Sequence, residues 1–137
     1  MALVVDTGVL IAGIDAGDRD HVACAELLAG TRERRLVPAP VLVELDHLLR
    51  RLHPEAMSRF LGEIVAGAFE VVDLMLEDLA RVRVLLDDYR DLRVGYVDAA
   101  VLAVVERFGE EKLATLDRRH FTVMRPRHVA ALTLLPS

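Results

Sequence analysis

The chain has 137 residues, 53% of them hydrophobic, and a formal net charge of −5. This composition excludes a disordered tail protein and a global basic field for holding nucleic acid, and it suffices for one domain with its own core. With Cys24 as the only cysteine there is no internal disulfide and no cysteine-rich zinc cluster.

Residues 2–6 (Ala-Leu-Val-Val-Asp) read as a short apolar strand of the kind buried in a parallel sheet. A short helix follows over 8–14, then a turn at Gly17 and Asp18. Residues 21–29 carry apolar positions at helical spacing (Val22, Cys24, Ala25, Leu28) and stop at Gly30. A brief strand over 35–37 ends at Pro38 and Pro40, and Pro40 suits the first turn of a helix. Residues 41–52 are that helix, with Leu42, Leu45, Leu48, Leu49 and Leu52 on one stripe. Pro54 opens the next helix, 55–66, closed by Gly67. Residues 69–72 read as a strand, 77–89 as a helix carrying Leu79, Val82, Leu85 and Leu86, and 91–95 as a loop. A helix with an apolar centre spans 97–108 and ends at Gly109. Residues 112–116 are a strand, 118–121 a short turn or helix, and 131–135 a final strand.

Short apolar strands alternating with helices predict a single α/β domain over residues 1–137, with a mainly parallel central sheet and right-handed crossovers. No uncharged stretch approaches the roughly 18 residues of a membrane span. Asp6 interrupts the first apolar run too early for a secretory signal. A cytoplasmic protein with no membrane association is therefore expected.

Four acids adjoin or interrupt apolar segments: Asp6, Glu44, Asp98 and Asp117. Apolar surroundings disfavour a lone negative charge, and a shared divalent metal ion compensates several at once. In open α/β sheets, ligands bind outside the carboxyl ends of the strands. Asp6 and Asp117 end two predicted strands, and Asp98 opens a helix that starts at the same edge. Glu44 lies about one turn into its helix. The four are thus expected to converge.

Each acid also has a plainer reading. Asp6 and Asp98 suit the cap of a following helix. Asp117 precedes Arg118 and Arg119 and fits a surface ion pair. Glu44 lies on a different side of its helix from Leu45 and Leu48 and fits a solvated position, as does Asp46. Thr7 and Thr115 adjoin the acids as possible carboxylate-orienting donors, or as ordinary strand-edge threonines.

Basic residues cluster at Arg118, Arg119, His120, Arg125, Arg127 and His128. Arg118, Arg119 and His120 are the candidate phosphate contacts, although His120 also reads as an ordinary surface histidine. Tyr89 and Tyr96 read as packing residues. No G-x-x-x-x-G-K-[ST], G-x-G-x-x-G or G-x-S-x-G pattern occurs, so a P-loop, a dinucleotide cofactor and a serine nucleophile elbow are not expected.

Four segments in order resemble a PIN domain: Asp-Thr-Gly-Val-Leu-Ile-Ala from Asp6, Glu44 after Pro38-Ala39-Pro40, Val-Asp-Ala-Ala around Asp98, and Thr-Leu-Asp-Arg-Arg-His-Phe around Asp117. A small PIN domain with nothing attached resembles the toxin of a VapBC-type toxin–antitoxin pair. The resemblance implies a Rossmann-like three-layer sandwich and a metal-dependent endoribonuclease using Mg²⁺ or Mn²⁺ on an RNA substrate. It implies a homodimer, and a cognate antitoxin whose C-terminal segment blocks the acidic groove. It also implies that Asp6, Glu44, Asp98 and Asp117 are the catalytic, metal-holding residues, with Thr7 and Thr115 in support.

Two other readings stand beside it. One is a receiver-like or phosphatase-like Mg²⁺-binding α/β protein with a phosphorylated Asp. Against it, the only lysine, Lys112, sits at a strand start, and Asp6 has no second acid two residues on. The other is a non-catalytic PIN-like binding module.

Overall fold

All four residues of β1 (Ala2–Val5) are buried, which requires cover on both faces of the strand. The computed structural model, which describes Met1–Ser137, supplies that cover. β1 lies at the centre of a five-stranded sheet with β2 (Arg34–Pro38), β3 (Glu70–Val72), β4 (Lys112–Ala114) and β5 (Thr133–Leu135), in the order β3-β2-β1-β4-β5. Every pairing is parallel, so the expected mainly parallel sheet is wholly so. The chain builds outward from β1 to β3, then returns to the other side of β1 for β4. The strand order therefore switches between β1 and β4, where open sheets leave a crevice at the carboxyl ends.

Helices flank this sheet: α1 (Thr7–Ile14), α2 (His21–Gly30), α3 (Ala39–Leu52), α4 (Ala56–Val65), α5 (Leu76–Asp88), α6 (Tyr96–Phe108) and α7 (Arg118–Val123). In α6, residues 99–105 are all buried, as expected of a helix that is apolar on every side. It ends at Gly109, whose positive φ of 66° is one that glycine adopts without a Cβ clash. No helix is long and apolar enough to cross a membrane.

The helical stripes are narrower than their sequence suggests. In α3 the buried row is Val41, Leu45 and Leu49, while Leu48 and Leu52 are 43% and 50% exposed. In α5, Val82 and Leu85 are buried but Leu79 is not. A helix lying on a sheet covers one i, i+4 row fully, and rows beside it face outward. The fourth helix begins at Ala56 rather than at Glu55, because residues 53–56 first close a turn through Ala56 N–H to the His53 carbonyl. Part of the expected loop after α5 is a 3₁₀ turn, Arg90–Leu92.

The buried face of α5 also carries charge. Asp78 is paired with Arg107 at 3.0 Å, and Arg81 with Glu106 at 2.8 Å, which ties α5 to α6. The second pair reaches further. Arg81 also donates to the Arg125 carbonyl, and Glu106 accepts from the Arg127 amide. The segment that follows α7 is thereby held against the helices behind it.

Removing one partner of such a pair leaves a buried charge uncompensated. Arg81→Ala should lower the unfolding free energy by roughly 3–5 kcal/mol in a denaturant titration. The double substitution Arg81→Met, Glu106→Leu should recover most of that loss. If the double variant is as unstable as Arg81→Ala, the uncompensated charge is not the cause.

Candidate functional site

Asp6 follows β1 directly and has an extended backbone, so it caps α1: the Thr7 amide donates to Oδ1 at 2.8 Å. Capping occupies one oxygen only. The other, Oδ2, accepts from the Thr115 hydroxyl at 2.8 Å. The Asp6 amide donates to the Ala114 carbonyl at 2.9 Å, which extends the β1–β4 ladder and locks the two strand ends together. Thr115 Oγ1 in turn accepts from the Asp117 amide at 3.0 Å. One fully buried hydroxyl thus links both strand-end acids.

Asp117 caps α7, with Oδ1 accepting from the His120 amide at 3.1 Å. It does not form the expected surface pair with Arg118 or Arg119. Its Oδ2 meets His120 Nδ1 at 2.8 Å, and the same nitrogen lies 3.5 Å from Asp98 Oδ2. His120 Nε2 faces the Leu92 carbonyl at 3.2 Å. With an acceptor at each nitrogen, the ring is fully satisfied as the imidazolium. The Asp117 hydrogen bond, above all, raises its pKa. His120 is therefore part of the acidic cluster rather than an ordinary surface histidine. Asp98 is not the cap of α6, since Gly95 holds that position. It lies in the first turn, where the positive end of the helix dipole favours a carboxylate.

Ligand atoms of Asp98, Asp117 and His120 lie within 4.8 Å of one another. Asp6 and Glu44 join them electrostatically. Burial pushes the Asp6 carboxyl up to about 6; hydrogen bonds from Thr115 and Thr7 oppose this, and the charges of Asp98 and Glu44 add to it. Asp98 is raised by burial and then by Asp117, against the lowering effects of His120 and the Gly95 amide, with Glu44 again adding. Glu44 is half-buried on α3 and makes no hydrogen bond.

The side chains suit a hard cation. Four carboxylates are present, one of them nearly buried and poorly tolerant of its charge. The Thr7 hydroxyl is buried with no hydrogen-bond partner. Oxygen donors of this kind fit Mg²⁺ or Mn²⁺ rather than a softer metal. Of the three residues expected to meet RNA, His120 stands among the acids and Arg118 is committed to the Pro136 carbonyl. Arg119 is exposed and free.

Two features were not read from the sequence. Residues 92–95 border Asp98 and His120; the only local signal was Gly95 just ahead of the Tyr-Val-Asp step. An open groove of about 750 Å³ lies beside Glu44, lined by Pro40, Val43, His47, Leu79 and Tyr96 among others. Tyr96, expected to be a packing residue, is 47% exposed on its wall.

A family model described as PIN domain matches residues 3–125. The chain is 31% identical over 135 residues to Ribonuclease VapC26 of Mycobacterium tuberculosis, covering 98% of this chain and all of that protein. Its fold is similar to that of M. tuberculosis VapC20, described as a Sarcin-Ricin loop cleaving toxin (TM-score 0.73, 22% identity, 81% of this chain and 86% of the other). It is also similar to VapBC2 from Rickettsia felis, solved bound to a DNA fragment from their promoter (TM-score 0.69, 18% identity, 98% of this chain and 97% of the other).

The raised Asp6 pKa has a consequence for stability. The ordinary value is 3.8 and the folded one about 6, so the folded state keeps the proton to higher pH. The associated stability is present below about pH 4 and lost as pH rises through 6. Without metal, Asp6→Asn should therefore melt higher than the parent at pH 7.5, by an amount up to the order of 3 kcal/mol. The difference should vanish near pH 4. A pH-independent difference would mean that the buried charge is not what separates them.

Proposed function

Because this chain belongs to the PIN-domain family, we propose that it is a VapC-type, metal-dependent endoribonuclease, the toxin of a toxin–antitoxin pair. The observation that carries this is the hydroxyl bridge from Thr115 to Asp6 and Asp117 at the β1/β4 switch, with Asp98 and Glu44 within electrostatic reach. The likeness to Ribonuclease VapC26 over nearly the whole chain supports the same activity.

Asp6, Glu44, Asp98 and Asp117 would hold Mg²⁺ or Mn²⁺. When bound, such an ion supplies a Lewis acid that polarises the phosphodiester and lowers the pKa of an attacking water. Thr115 orients Asp6 and Asp117, and its burial keeps water from competing for them. His120 holds a proton at Nδ1 between Asp117 and Asp98.

The partner is a cognate antitoxin. A segment carrying an arginine would neutralise the acids, while its apolar residues lay in the groove beside Glu44. The likeness to VapBC2 supports such a pairing. Exposed Leu48, Leu52 and Leu79 offer apolar surface for a homodimer. The domain spans residues 1–137. Its lone cysteine, Cys24, is buried and unpaired, which fits a cytoplasmic setting.

The receiver-like alternative has little support. Lys112 lies at the opposite end of β4 from Thr115 and is paired with Glu33, so it cannot meet a phosphorylated Asp6.

We expect cleavage of RNA with Mg²⁺ or Mn²⁺, abolished by chelator. Asp98→Asn and Asp117→Asn should cut the rate roughly 100-fold or more while remaining folded by circular dichroism. Folded variants that cleave like the parent would rule out this site. Thr115→Val should weaken metal binding roughly 10- to 100-fold in a Mn²⁺ titration. Unchanged Mn²⁺ affinity would remove Thr115 from the site.

A further inference from the structure

The segment joining α5 to α6 runs along the acids. The Leu92 carbonyl faces His120 Nε2 at 3.2 Å. A Cβ placed on Gly95 would lie 3.9 Å from Asp98 Oδ2. Val94, between them, is buried. Residues 92–95 therefore form a fixed wall beside Asp98 and His120.

Arg93 belongs to that wall and is the only non-glycine residue with positive φ, at φ 54° and ψ 38°. For an L-residue this conformation costs roughly 1–2 kcal/mol. Glycine would adopt it freely. The Arg93 side chain is exposed and makes neither a hydrogen bond nor an ion pair. Its neighbours differ: Arg90 faces Asp87 at 3.7 Å, and Arg118 is held by Pro136. An arginine thus occupies a position where glycine would be less strained, and no protein group uses its charge.

We propose that Arg93 is a substrate-positioning residue that grips a phosphate of the RNA strand lying over the acids. The inference rests on the nuclease reading of the acidic site. Four carboxylates on a chain of net charge −5 repel a polyanion, so a strand that reaches them needs cations at the rim. Arg93 and the free Arg119 each stand one residue from the His120–Leu92 contact, one on each wall. A guanidinium is suited to the site because it meets two phosphate oxygens at once. The wall fixes the backbone beneath Arg93, so less freedom is lost when its side chain is ordered by RNA.

The test uses the full chain carrying Asp98→Asn to block cleavage, with fluorescence anisotropy of a labelled, unstructured RNA oligonucleotide across a salt series. Adding Arg93→Gly should weaken binding roughly threefold and make the log–log salt dependence shallower by about 0.7, the value of one single-strand phosphate contact. Arg93→Lys should restore most of the slope. The melting temperature of Arg93→Gly should not fall, because the substitution relieves strain; a merely structural arginine would show the reverse pattern. Unchanged affinity and slope in Arg93→Gly, no restoration by Lys, or absence of saturable RNA binding by the Asp98→Asn chain would each overturn the proposal. Cleavage by the otherwise native chain is scored separately. RNA held through Arg93 but not cut would sink the nuclease reading alone, and RNA cut with no dependence on Arg93 would sink the positioning role alone.

Discussion

The Thr115 hydroxyl is the constraint around which the site is arranged. It donates to Asp6 and accepts from the amide of Asp117, so two acids from distant parts of the chain share one buried atom. That contact exists only because β1 and β4 pair in parallel and in register, Val5 opposite Ala114. The Asp6 amide adds the next rung, to the Ala114 carbonyl. A change of one residue in register would turn Asp6 or Thr115 to the other face of the sheet. The sheet is thus the means by which the chain brings like charges together, against their mutual repulsion.

Two kinds of compensation surround those charges. Helix starts contribute amides and dipoles, at Thr7 for Asp6 and at His120 for Asp117. The His120 ring contributes a cation between Asp98 and Asp117. Neither reaches the desolvated Asp6 fully, whose carboxyl remains raised to about 6. A divalent cation is the remaining compensation that the oxygen donors suit. Behind the site, the Arg81–Glu106 pair ties the segment that follows α7 to α5 and α6, so the chain leaving the helix that carries His120 is held in place.

Much of this was legible in the chain. The apolar runs before Asp6 and before Asp117 identified two strands, although β4 ends at Ala114, two residues earlier than the run suggests, and parallel α/β topology places such ends on one edge. Other features were misread because local pattern does not report what an element packs against. Leu48 and Leu79 read as members of apolar helix faces, yet the sheet covers a narrower row than the leucines span. Asp78 and Arg81 carried no signal in the sequence, yet both are buried because their partners, Arg107 and Glu106, lie on another helix. His120 read first as a surface residue, since nothing near it in sequence shows that Asp98 faces its ring.

By itself, the sequence determined the order of strands and helices and which acids would lie along one edge of the sheet. Hydrophobic periodicity and turn residues act over a few neighbours and are written locally. The tertiary structure alone decided which donor meets each oxygen of Asp6 and Asp117, that one hydroxyl bridges them, and that His120, Leu92 and Gly95 close around Asp98. These depend on contacts between residues far apart in the chain, set by strand register and helix packing. A carboxylate's environment, and with it the charge that it tolerates, is a property of that assembly rather than of its neighbours in sequence.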